Sequence, residues 1–162
     1  MAKRTLQTFK KHLGYDGNKV NEEKALAVLK EIGINAQSEI GETPLIVAAY
    51  LGRANILKML IEQVDDIDYK VPGAITESAL LMACNQRPLE CIQLLVEAGA
   101  SLEQEDSLGL TPLSMVFTNA FSDPIPSATY LVSKGSKITA RVIEIGRSWN
   151  EEKFNEFLKT VQ

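Results

Sequence analysis

Apolar residues along this chain recur at helical spacing in short runs, and each run is closed by a glycine, a proline or a polar cluster. Leu6, Phe9, Lys10 and Leu13 set the first register, and Gly14-Tyr15-Asp16-Gly17 breaks it. Ala25, Leu26, Val28, Leu29 and Ile32 form the next stripe. Asn21 is placed to cap that helix, Lys24 stands where a capping box would prefer Glu, and Gly33 ends it. A short helix is predicted from about 44 to 51, with Gly52 at the turn. A second from about 54 to 63 buries Ile56, Leu57, Leu60 and Ile61. Helices over 80–85 and 88–98 follow, with a turn at Gln86-Arg87. The unit from Thr111 to Lys134 contains Ser122-Asp123-Pro124-Ile125-Pro126, which is expected to be a bulged loop because proline lacks the amide a helix interior needs. The segment 140–162 reads as a helix pair with Trp149 at its joint and charges on its outer side.

These elements repeat. Gly41-Glu42-Thr43-Pro44-Leu45-Ile46-Val47-Ala48-Ala49 returns as Thr76-Glu77-Ser78-Ala79-Leu80-Leu81-Met82-Ala83-Cys84. It returns again as Gly109-Leu110-Thr111-Pro112-Leu113-Ser114-Met115-Val116-Phe117. Thr43 lies 35 residues before Ser78, and Ser78 lies 33 before Thr111. A fixed period in this range means stacked supersecondary units rather than one enzyme-like core. Pro44 suits a first helical position, and Thr43 before it can accept from the first turn. Ile67, Leu102 and Ile138 fill one apolar slot in successive units. Pro72-Gly73 marks a strong turn in the longer hairpin between 69 and 77.

At these residues the chain resembles the ankyrin-repeat family, whose repeat carries a Thr-Pro-Leu-His-x-Ala-Ala box. The resemblance implies an all-α solenoid of helix-turn-helix units joined by short β-hairpin loops, with helical caps at both ends. One domain is expected over 1–162: a cap over 1–40, repeats over 41–74, 75–108 and 109–139, and a polar cap over 140–162. The family usually has glycine where this chain has Arg87. That departure costs roughly 1 kcal/mol if a left-handed backbone is needed there.

Composition adds exclusions. Hydrophobic residues make up 45% and charged residues 23%, ordinary for a globular chain. The net charge of −4 and a pI near 5.1 argue against general nucleic-acid binding, which needs a basic surface. Polar residues follow Met1-Ala2-Lys3-Arg4-Thr5 where a signal peptide would be apolar. No apolar run approaches the roughly 18 residues of a membrane span. With two cysteines only, a cytoplasmic location is the expectation.

Candidate chemistry is sparse. His12, the single histidine, reads as a surface residue and cannot alone build a zinc set or a triad. Cys84 and Cys91 fall at core positions, and their spacing of seven matches neither metal nor redox motifs. No phosphate loop, nucleophile elbow or His-Glu-x-x-His is present. No enzyme activity, cofactor, metal or small-molecule substrate is therefore expected. Carboxylates gather at the hairpins (Asp65, Asp66 and Asp68; Glu103, Glu105 and Asp106; Glu39, Glu42 and Glu77), where turn chemistry and capping use them. Aligned on one edge they would also speed encounter with a basic protein.

The resemblance implies a concave binding face at the hairpin tips and at the ends of the first helices. Here those positions hold Ile40, Glu42, Tyr50, Leu51, Ile75, Glu77, Asn85, Gln86, Leu108, Leu110, Thr118 and Asn119. Tyr50 is the preferred anchor, ringed by polar residues. Leu51 and Leu110 have an alternative place against the neighbouring repeat. The functional expectation is a protein-binding module with another protein, possibly a basic one, as partner, and with no nucleic acid or membrane involved. Within that class it is an inhibitor such as a toxin-immunity protein; the alternatives are a host-directed effector, an adaptor or scaffold and, remotely, a cryptic enzyme.

Overall fold

The structure, a computed structural model, describes residues 5–71, 78–86, 88–118 and 123–161. Helices pair along the chain: α1 (Leu6–His12) with α2 (Glu22–Ile32), and α3 (Pro44–Tyr50) with α4 (Ala54–Ile61). The next pairs are α5 (Ala79–Gln86) with α6 (Leu89–Glu97), and α7 (Pro112–Met115) with α8 (Ile125–Ser133). The first helices of successive pairs stack, α3 on α5 and α5 on α7, and α9 (Ala140–Val161) closes that row. The second helices α4, α6 and α8 form a parallel row behind it. One core runs through the stack, with Leu57, Leu80, Leu81, Ile92, Leu95, Leu113 and Leu131 all fully buried. Ile67, Leu102 and Ile138 each pack partly buried against it, as their shared slot predicts. Leu94 is half-buried, because it lies off the α6 stripe of Cys91, Ile92 and Leu95.

The helix starts follow from the boxes. Thr43 Oγ1 accepts from the Ile46 amide at 3.4 Å, and Thr111 Oγ1 accepts from Ser114 at the same distance, with proline at the first helical position of each. Asn21 Oδ1 caps α2 by accepting from Lys24 N at 2.9 Å. Gly33 ends α2 at φ +91°, a backbone that L side chains avoid.

The described joins between units are tight tips without strand ladders. Ser38 N donates to Glu42 O at 2.9 Å, and Asp106 N donates to Leu110 O at 3.0 Å, so the two tips are equivalent. The side chain at the head of each tip braces it. Ser38 Oγ accepts from Glu42 N at 3.1 Å, and Asp106 Oδ1 accepts from Leu108 N and Leu110 N at 2.8 Å each.

One sequence expectation needs correction in part. Of the segment expected as a bulged loop, Ser122 lies outside the described residues and Asp123 and Pro124 precede α8, but Ile125 and Pro126 open that helix. The first turn of a helix has no intrahelical use for those amides, so proline fits there. Asp123 Oδ1 takes the Ile125 amide at 3.1 Å. The third box, in turn, yields only the four residues of α7. Phe117 N reaches back to Ser114 O, and both Thr118 N and Thr118 Oγ1 reach Met115 O, so the chain tightens by i→i−3 bonding and leaves the helix.

At the C-terminal end α9 is broken at Asn150, whose backbone is extended (φ −165°, ψ 104°). Its Oδ1 accepts from Lys153 N at 2.9 Å and so caps a new helix over 151–161. That half folds back over 140–149, which is the helix pair expected with Trp149 at its joint. The Pro72-Gly73 turn and Arg87 lie outside the described residues.

Candidate binding face

The described carboxylates of the joins are largely spent on the stack itself. Asp68 Oδ1 accepts from Ser101 N at 2.8 Å, and Glu103 Oε1 accepts from Lys137 N at 3.0 Å; each bond ties one join to the next, about one repeat away. Asp65 Oδ2 takes the Asn35 amide at 2.6 Å, and Gln104 Nε2 donates to Asp68 O at 2.8 Å. Lys70 Nζ reaches the Glu105 carbonyl across the same interval. The acidic edge is therefore partly structural, since hydrogen bonds to charged groups contribute more than neutral ones.

Ile40 and Leu108, the residues just ahead of the tip glycines, are 69% and 63% exposed. They occupy the same position of their units, three residues before Thr43 and Thr111. Their counterpart Ile75, together with Glu77 and Asn119, lies outside the described residues. Leu110, by contrast, is buried in the core, and Leu51 is half-buried against it. At both tips the aliphatic side chain just before the glycine points to water, while Leu110, just after Gly109, points inward. Asn85 is half-buried in α5, and Gln86 is the last residue of that helix. Thr118 is exposed at the end of the α7 turn.

Glu42 is not a free surface charge. Both of its carboxylate oxygens accept from Lys10 Nζ at 2.9 Å, and Ser38 Oγ lies 3.4 Å from Oε2. Lys10 is almost wholly buried, and its ammonium also lies 4.3 Å from the centre of the Tyr15 ring. Tyr15 stands 6.3 Å from Tyr50, centre to centre, with the rings tilted by 46°. These side chains, with Ile46, Val47 and Met82, line a cleft of about 170 Å³ beside α1, α3 and α5. Tyr50 thus sits in the cleft as one of two tyrosines. The sequence reading missed Tyr15 as its neighbour, although an aromatic between two glycines in a polar loop is a signal that no core position explains.

A second cleft, of about 440 Å³, opens beside the end of α7 and the first half of α9. Phe117, Thr118, Arg141, Glu144, Ile145, Ser148 and Trp149 line it, and Arg141 pairs with Glu144 at 2.9 Å. Of this group the sequence marked Thr118 as a binding position and Trp149 as the joint of the last helix pair; Arg141, Glu144, Ile145 and Ser148 belong to α9, which lies outside the repeated boxes.

No catalytic arrangement emerges from the described residues. His12 ends α1 half-buried rather than fully exposed, and its carbonyl accepts from Asn21 N. Burial pushes the Cys84 thiol far above its ordinary value. Cys91 is pushed up to about 11, by burial first and by Glu90 second, with Arg53 opposing. Both are protonated at neutral pH and therefore poor nucleophiles. Among the described residues no three His, Cys, Asp or Glu side chains come together as a metal set, and no helix is long and apolar enough to cross a membrane.

Comparison with known proteins agrees with this architecture. The ankyrin repeat model matches residues 40–70, the unit whose box is most complete. Human ankyrin repeat domain-containing protein 63 is 34% identical over 84 residues, covering 49% of this chain and 22% of that protein. Human SH3 and multiple ankyrin repeat domains protein 2 is 38% identical over 76 residues, covering 46% of this chain and 4% of that protein. The matching segments thus make up less than a quarter of the length of either relative. The period, the capped Thr-Pro-Leu boxes, the two stacked rows of helices and the family match together identify the stack as ankyrin repeats.

Proposed function

We propose that this protein is a non-catalytic interaction module that holds a protein partner on the row of first helices and on the hairpin tips. Binding there blocks the partner, as an immunity protein neutralises its toxin. The carrying observation is the pair Ile40 and Leu108. Two large aliphatic side chains, each more than 60% exposed, recur at one position of two units. A surface that stays wet gains nothing from such a repeat, whereas a partner covering it removes apolar area from water. The partner is basic: the chain carries a net charge of −4, and Glu39 and Glu105 are exposed near the two tips. An adaptor or scaffold role is the second reading, favoured because both human relatives carry their matching segments within much longer chains.

Capture of the partner on the immobilised chain, followed by assay of that partner's activity with the chain in excess, tests the reading. Ile40→Asp and Leu108→Asp should each weaken capture by about tenfold, the 1.4 kcal/mol of a central contact. Tyr50→Ala should act in the same direction. Lys58 and Glu97, exposed on α4 and α6, serve as controls; Gln93 is half-buried and less clean. Loss of capture on changing Lys58 or Glu97, with Ile40→Asp silent, would move the partner to the other row. A captured partner whose activity is unchanged at saturation would replace inhibition by the adaptor role.

A further inference from the structure

The cleft at Glu42 has the composition of a cation site, and the chain's own lysine occupies it. A carboxylate stands at its rim, Tyr15 and Tyr50 form its aromatic wall, and Ile46, Val47 and Met82 complete the lining. Lys10 Nζ lies on both Glu42 oxygens and over the Tyr15 face, so one ammonium takes the ionic and the aromatic contact together. It does not fill the space: about 170 Å³ remains open beside it, more than one water requires. The cleft is also reachable, since Tyr15 is 43% exposed and the Glu42 side chain keeps 20% of its surface.

We propose that this cleft recognises an arginine side chain of the protein partner, and that Lys10 is an internal stand-in which the incoming guanidinium displaces from Glu42. The proposal rests on the protein-binding reading above. Arginine fits better than a second lysine for three reasons. Its planar fork matches both carboxylate oxygens, it stacks on aromatic faces, and it is more weakly hydrated than an ammonium, so less is lost on leaving water. Lys10, on a flexible four-carbon stem, regains its hydration when it swings out. The exchange conserves charge at Glu42, so no carboxylate is left buried alone. The internal lysine also sets a threshold: a neutral or weakly basic segment cannot displace it, which turns an acidic patch into a selective one.

The test is an NMR titration of the full chain with acetyl-Gly-Arg-Gly-amide, alongside the same peptide carrying lysine or the neutral isostere citrulline. The arginine peptide should move the amides around Lys10, Tyr15, Glu42 and Tyr50 saturably, the lysine peptide more weakly and the citrulline peptide not at all. Lys10→Met should tighten arginine binding by about tenfold, the factor for removing a competitor that holds about nine-tenths of the population. Glu42→Gln should abolish binding. If Lys10→Met or Glu42→Gln undocks α1, Tyr15→Leu decides, since it leaves the ion pair in place and should still weaken the arginine peptide. An equal response to citrulline, or no saturable shift in the unmodified chain, would overturn the proposal. A chain that captures a protein through Ile40 and Leu108 yet ignores the arginine peptide would lose this site and keep the protein-binding reading. The opposite pattern would keep the site and lose that reading.

Discussion

At the N-terminal end, polar contacts to the first repeat are added to the buried apolar side of α1. Beside the buried Leu6, Phe9 and Leu13, Lys10 pairs with Glu42, Arg53 Nε donates to the Leu13 carbonyl at 2.8 Å, and Tyr15 and Tyr50 form a tilted ring pair. At the C-terminal end, α9 covers α7 with rings. Phe117 lies 5.1 Å from Phe154 edge to face, 5.8 Å from Trp149 and 6.0 Å from Phe157, and Phe154 and Phe157 are 5.7 Å apart. The difference teaches how a stack can end. An aromatic lid is held by apolar area and packing, which carry no desolvation penalty for charge. A buried ion pair recovers that penalty only through good geometry, so it adds specificity of docking more than stability. It also leaves one end able to exchange contacts, and that is the end where the acidic and aromatic groups meet.

The largest test of this contrast is at the lid. Phe154→Ala should cost about 3–5 kcal/mol, read as a lower midpoint in urea, because a fully buried ring is lost from the cluster. Gly146→Ala should cost somewhat less, about 1–3 kcal/mol. A Cβ there would fall 2.1 Å from Phe154 Cε2, too close without a shift of the ring. If Gly146→Ala is neutral, the two halves of α9 are not packed as tightly as these distances require.

At the opposite end, Lys10→Met should cost about 1–3 kcal/mol by leaving Glu42 without its cation in a mostly buried site. Hydrogen exchange should sharpen the comparison, with amides of α1 losing protection in the variant before those of α5 and α6 do. Uniform loss across the stack would mean that the polar ties support the whole solenoid and not its first unit alone. The smallest effect concerns Ser136, buried at the position where the previous unit has Ala100, with a hydroxyl that finds no partner among the described residues. Ser136→Ala should be neutral or stabilising by up to about 1 kcal/mol, since an unpaired buried hydroxyl is replaced by a methyl. A clear loss of stability would reveal a partner for that hydroxyl.

The repeated boxes determined the architecture because they are local. A threonine that caps, a proline at the first helical position and an apolar stripe of fixed period specify a helix pair within one unit, and stacking follows from the stripe that one unit cannot bury alone. Even the Asn150 break is written locally, as a capping residue followed by Glu151 and Glu152. The exposure of the residues proposed for binding was legible only in part. Ile40 and Leu108 could be read from their place before a tip glycine, whereas Leu110, two residues later, turns inward because the tip reverses the chain between them. What tertiary structure alone decided are the meetings between units. Lys10 and Glu42 are 32 residues apart and carry no shared motif, so their pairing, and with it the neutralisation of a charge expected to face a partner, depends on how α1 docks. The same holds for Tyr15 beside Tyr50 and for Phe117 beneath Trp149. Sequence periodicity specifies which side of a helix is apolar, but which side chains touch across a junction depends on the rotation and spacing of two packed bodies, and no local pattern encodes those.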